Sequence, residues 1–199
     1  MIFKHANFAI FTASVALFPA AGFSQALPAD CSSATVPAQP VSVSIAGTKF
    51  TPKVVKLRDA GGMTYGEAAY DTYRLALRSE DELSPPLEAD FVVLVKKGQG
   101  IDGKTFRKLA VKDTDKQPAP TPGLPEVQGW SLKNRPARTD FSSVSYLASL
   151  RIEFGKRQGS TIGGKIYLCV PKGQKTIFDS TPSKEDSSAI GTFQATIEK

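Results

Sequence analysis

The stretch "GQGIDGKT", Gly98–Thr105, decides the fold class. It satisfies the phosphate-loop pattern G-x-x-x-x-G-K-[ST] letter for letter and contains a G-x-G-x-x-G as well. A phosphate loop must run into a helix, because the phosphate sits on the helix N-terminus, and the chain is then α/β. A glycine-rich connection between strands makes it all-β instead. The residues that follow, "KTFRKLAV" (Lys104–Val111), leave both choices standing at first: Phe106, Leu109 and Ala110 have helical spacing, and Asp102 is placed to cap.

A second glycine segment tips the choice. "KRQGSTIGGKIY" (Lys156–Tyr167) resembles "KGQGIDGKTF" (Lys97–Phe106) once a short gap is allowed, with Lys, Gln, Gly, Ile, Gly, Lys and an aromatic in the same order. It leads into "KIYLCV" (Lys165–Val170), which alternates as a strand does. By analogy "KTFRKLAV" is a strand and Gly98–Thr105 a hairpin loop, its glycines supplying positive φ and Asp102-Gly103 a favoured turn pair. No apolar strand ends in an Asp placed to hold Mg²⁺, so no nucleotide or other cofactor is expected. The likeness of the two segments reflects an internal duplication or the shared demands of two hairpins.

The rest of the chain reads as short strands. "VSYLASLRIEF" (Val144–Phe154) puts Val144, Tyr146, Ala148, Leu150, Ile152 and Phe154 on one face. In "KIYLCV", Ile166, Leu168 and Val170 share a face, so Tyr167 and Cys169 point the other way and an N-terminal arm tied to Cys169 lies across that sheet or along its edge. "VSVSI" (Val41–Ile45), the proline-interrupted "KFTPKVVKL" (Lys49–Leu57), "YDTYRLALRS" (Tyr70–Ser79), "FVVLV" (Phe91–Val95), "KTIF" and "IGTFQATI" complete the set. A helix over Gly66–Arg78 is the weaker reading of that region. "EDELSPPLEAD" (Glu80–Asp90) and the proline-rich "QPAPTPGLP" (Gln117–Pro125) are loops. The expected architecture is an all-β, antiparallel β-sandwich, immunoglobulin-like in outline, with a closed β-barrel as the alternative.

Residues 1–26 have the basic start, apolar run "FAIFTASVALF" and small-residue site of a cleaved signal peptide. Residues 27–40 form an arm tied by a disulfide, and 41–199 a single domain. Localisation is periplasmic or secreted, without a transmembrane segment. His5, the one histidine, leaves with the signal, which removes Ser-His-Asp and Cys-His nucleophile systems and most catalytic zinc sites. Cys31 and Cys169 are the two cysteines; in an oxidising compartment they pair. The net charge of +6, less Lys4, favours anionic partners or serves solubility.

Two clusters carry candidate chemistry. Glu80, Asp81, Glu82, Glu88 and Asp90 surround a Pro-Pro turn and could bind Ca²⁺ or supply an acid and a base, though nothing in their spacing is a calcium loop. Trp130 with "KNRPAR" (Lys133–Arg138) offers a stacking face beside Lys133, Arg135 and Arg138, provided the indole is exposed; a core tryptophan followed by solvated cations is the alternative. The expected function is non-enzymatic binding of an envelope or extracellular partner, an anionic glycan or a protein, with no catalytic or metal-ligating residues. A surface-fibre subunit assembled by strand exchange comes second and a carboxylate-based hydrolase third.

Overall fold

In the computed structural model, residues 36–65, 67–108, 126–137, 139–142, 148–174 and 182–198 are described. Among them the chain is all-β and contains no helix. The strands are β1 (Ser42–Ile45), β2 (Thr48–Phe50), β3 (Val54–Tyr65), β4 (Ala68–Arg78), β5 (Leu87–Lys96), β6 (Thr105–Lys108), β7 (Glu126–Asn134), β8 (Thr139–Ser142), β9 (Ser149–Gln158), β10 (Thr161–Val170) and β11 (Ser187–Glu198). Along the sheet they run β6-β9-β10-β11-β3-β4-β5-β7-β8, with β1 on β11 and β2 on β1. The sheet is open rather than a closed barrel.

Strand β11 joins the two layers of this sandwich-like fold. Its first half lies antiparallel between β10 and β1, Ser42 opposite Ile190. Its end turns to β3 and pairs in parallel, Thr196 with Lys56 through Glu198 with Arg58. That contact makes the sheet mixed, a departure from the purely antiparallel expectation that no local sequence signal announces.

One apolar core fills the space between the layers, because alternation sends every second residue inward. Leu75 and Leu77 on β4 and Ala89, Phe91, Val93 and Val95 on β5 meet Phe106, Leu150, Ile152, Ile166 and Leu168 there. Phe106, Phe154 and Phe193 stack edge to face, with centroids 5.7 Å apart in each pair. "FVVLV" is covered on both faces, as its continuous apolar run implies: Phe91, Val93 and Val95 are in the core, and Leu94 is buried on the opposite side.

The arm crosses the outer side of the β10–β11 layer. Val36 packs on Tyr167, Cys169 and Ile190, the outward-facing set. The Thr192 N–H donates to Gln39 O at 2.7 Å, and the Val41 N–H donates to Thr192 O at 2.8 Å. Residues 1–35, which include the expected signal segment and Cys31, lie outside the described residues, as do "KTIF", "QPAPTPGLP" and Val144–Leu147.

Candidate functional site

The glycine segment that opened the question is followed by strand β6, not by a helix. Four of its main-chain donors are engaged: Gly98 N–H on Asp71 Oδ2 at 2.7 Å, Gln99 N–H on Lys96 O at 3.0 Å, Gly103 N–H on Gly155 O at 3.0 Å and Lys104 N–H on Ile101 O at 3.0 Å. Gly98, Gly100 and Gly103 all have positive φ, the service glycine was expected to give. The segment is nevertheless not a hairpin loop. β5 pairs with β4 and β7 whereas β6 pairs with β9, so Gly98–Thr105 carries the chain from one layer to the other. The second segment does close a hairpin, β9 to β10, with Gly159 at φ +60 in the turn. The two look alike in sequence yet occupy different topological positions, and they touch: Arg157 N–H donates to Asp102 Oδ2 at 3.2 Å.

Trp130 does not offer a stacking face. It lies on β7 opposite Phe91, is 3% exposed and belongs to the core. Its Nε1–H has no hydrogen-bond partner. The run "GWSLK" alternates, and inward parity for Trp130 and Leu132 fixes outward parity for Ser131 and Lys133. The basic residues after it are built into the fold. Arg135 Nε donates to Pro85 O at 2.9 Å, and Asn134 Oδ1 accepts the Ala137 N–H at 3.2 Å, tightening the β7–β8 turn. Arg138 lies outside the described residues.

What the cations bind is the acidic cluster itself. Leu87–Asp90, expected in a loop, begins β5, so Glu88 and Asp90 share the sheet's outer face. Strand pairing sets Arg78, Glu88, Lys133 and Asp140 side by side across β4, β5, β7 and β8. Glu88 accepts from Arg78 Nε at 3.0 Å and meets Lys133 Nζ and Arg135 Nη2, each at 3.5 Å. Asp90 accepts from Arg74 Nε at 2.9 Å and from a second Arg74 nitrogen, and Lys133 Nζ stands 3.6 Å away. The hydrogen bond to Asp90 raises the Arg74 pKa above its ordinary value. At the end of the row, burial pushes the Asp140 carboxyl up, against the pull of Lys133 and Arg135, and its Oδ1 is buried without a partner. Among the described residues no group of three or more His, Cys, Asp or Glu could hold a metal ion.

A concave feature lies elsewhere, where β11 changes neighbours. A cleft of about 550 Å³ opens there, lined by Thr51, Lys53, Lys56, Asp81, Thr192 and Gln194 among others. Thr192 binds the arm through its main chain, and pairing with β3 starts only at Thr196. Gln194 has the same parity, so its N–H and C=O face the opening. Lys56 forms one wall, 2.7 Å from Asp81 Oδ1 and 3.1 Å from Glu198 Oε1. These bonds raise the Lys56 pKa, and that to Lys56 lowers the Asp81 pKa. Nothing in the sequence signals this cleft, because it arises from two strand partners contributed by distant segments.

Comparison of the chain with protein-family models, with curated proteins and with solved structures finds no match to any of them.

Proposed function

We propose that the protein is an exported, non-enzymatic β-sandwich that binds an envelope or extracellular partner at the cleft beside β11. The observation that carries this reading is the state of the carboxylates. Glu88 and Asp90, the natural acid and base of a hydrolase, are buried beneath Arg74, Arg78, Lys133 and Arg135, which occupy the oxygens that would have to move a proton. The cleft, by contrast, presents a main-chain donor and acceptor at Gln194, the hydroxyl of Thr51 and the ammonium of Lys53, an array suited to holding a polar ligand rather than transforming it.

Assembly by strand exchange gains less support. The open stretch of β11 lies only between Thr192 and Thr196, too short to seat a donated strand. Export itself rests on residues 1–26, and the Cys31–Cys169 disulfide is consistent with the burial of Cys169 under Val36, a few residues from Cys31 in sequence.

Two-dimensional NMR of the secreted chain, titrated with envelope oligosaccharides and short peptides, tests the reading. Saturable shifts at Lys53, Thr192 and Gln194 with chemically unchanged ligand are expected. Turnover of any ligand, with loss of turnover in Glu88→Gln, would establish the hydrolase instead.

A further inference from the structure

The outer face of the β6–β9–β10 layer carries a charge arrangement unlike that of the other layer. Phe106, Ile152 and Ile166 are in the core, so their neighbours Arg107, Arg151, Lys165 and Tyr167 point outward. Register places Arg107 directly opposite Arg151, and Arg151 opposite Tyr167. The adjacent row runs Thr105, Glu153, Lys165, Thr192. Like charges directly opposite each other on antiparallel strands destabilise a sheet. Glu153 pairs with Arg151 and relieves part of this. Among the described residues of this face, Arg107 and Lys165 are exposed cations to which no ion pair is assigned.

A second observation is independent of the charge count. Arg151 Nε is buried and has no hydrogen-bond partner, although the same guanidinium reaches Glu153 through another nitrogen. Glu153 therefore does not satisfy every donor of Arg151, and the side chain as a whole remains 39% exposed. Guanidinium forks match carboxylate and phosphate oxygens, and Arg107 presents a second fork across the strand pair. The surface is a run of strands rather than a pocket, which suits an extended chain, and the exposed Thr105 flanks the cations.

We propose that this face docks an acidic polysaccharide, with Arg107, Arg151 and Lys165 holding its carboxylate or phosphate groups. The assignment rests on the binding-module reading and names a contact surface separate from the cleft.

The full secreted chain is to be tested for co-sedimentation or biosensor binding to polygalacturonate, whose anions are carboxylates, to wall teichoic acid, whose anions are phosphates, and to neutral dextran. Binding to at least one acidic polymer and not to dextran is expected, with affinity falling as salt rises because exposed charges are screened. Which polymer binds identifies the anion. Arg107→Gln with Lys165→Gln should weaken binding by about tenfold, whereas Arg107→Lys should retain most of it. Lys184→Gln, an exposed cation on a distant loop, should change nothing. Absence of binding to both acidic polymers at low salt, equal binding to dextran, an unaltered double variant or an equal loss in Lys184→Gln would each overturn the proposal. Such a failure leaves the NMR test of the cleft standing, because its reporters at Lys53 and Gln194 lie outside this row.

Discussion

Replacing Glu88 by Gln should cost the fold about 2 kcal/mol, and the structure supplies the reasoning. The side chain is 3% exposed and faces cations on Arg78, Lys133 and Arg135, whose own side chains are 19%, 24% and 43% exposed. Removing one partner of a fully buried pair costs roughly 3–5 kcal/mol, because the survivor is left charged and dry. Here the survivors reach water, so each lost contact is nearer the exposed-pair value of up to ~1 kcal/mol. Lys133 also keeps Asp90, 3.6 Å away, which trims the loss further. Glutamine fills the same volume, so no cavity contributes. Arg135→Ala, at the wet end of the row, should cost only about 0.5 kcal/mol. Urea unfolding followed by the emission of Trp130, the single tryptophan, measures both with one probe in the core. The midpoint should shift at constant m, because the surface exposed on unfolding is the same. A cost below about 0.5 kcal/mol for Glu88→Gln, or equal costs for the two variants, would refute the idea that this outward-facing row behaves as a buried network.

Gly164→Ala should destabilise by about 3 kcal/mol, since a Cβ there would stand 2.4 Å from Glu153 O on the neighbouring strand and 2.4 Å from Phe193 Cζ; a variant as stable as the parent in the same urea assay would mean that β9 and Phe193 can both yield. Asp140→Asn should stabilise at pH 7 by under ~1 kcal/mol, because burial raises the Asp140 pKa and the group is partly exposed. The ionised carboxylate costs stability above its folded pKa, the cost is relieved as pH falls through that value, and the advantage of the variant should vanish below the ordinary value of 3.8. A less stable Asp140→Asn at pH 7 would show that attraction to Lys133 outweighs burial. Non-reducing peptide mapping of the chain produced through an oxidising export route should recover Cys31 linked to Cys169, and recovery of both thiols free would remove the staple from the arm.

The strands were legible because alternation is local. "IGTFQATI" and "KIYLCV" show which residues point inward without reference to any partner, and Ile166, Leu168, Val170, Phe193 and Ala195 are all in the core. What failed to show is whatever depends on pairing. "LEADFVV" alternates as well, with Leu87, Ala89 and Phe91 on one side of Glu88 and Asp90, yet charge beside a Pro-Pro turn reads as loop until Arg74, Arg78 and Lys133 are known to flank it. Trp130 misled for a related reason. Its inward parity was available from "GWSLK", but a lone tryptophan before a basic run has the composition of a recognition loop, and only pairing with β5 reveals that the cations already have acids opposite them.

The same logic moves the search for a charged ligand from one layer to the other. A count of Lys and Arg along the chain favours "KNRPAR", but a cation contributes to recognition only where its neighbours leave it unneutralised. On the outer face of β4, β5, β7 and β8, Arg74, Arg78, Lys133 and Arg135 surround Glu88 and Asp90, whose burial makes those pairs expensive to break for an incoming anion. On the outer face of β6, β9 and β10, Glu153 is paired with Arg151 alone among the described residues, so an anion held by Arg107 and Lys165 has no ion pair of that face to break. Arg107 and Lys165, to which no ion pair is assigned among the described residues, therefore gather with Arg151 on the second face, although no run of basic residues in the sequence marks it, because its members come from three strands that meet only when the sheet forms.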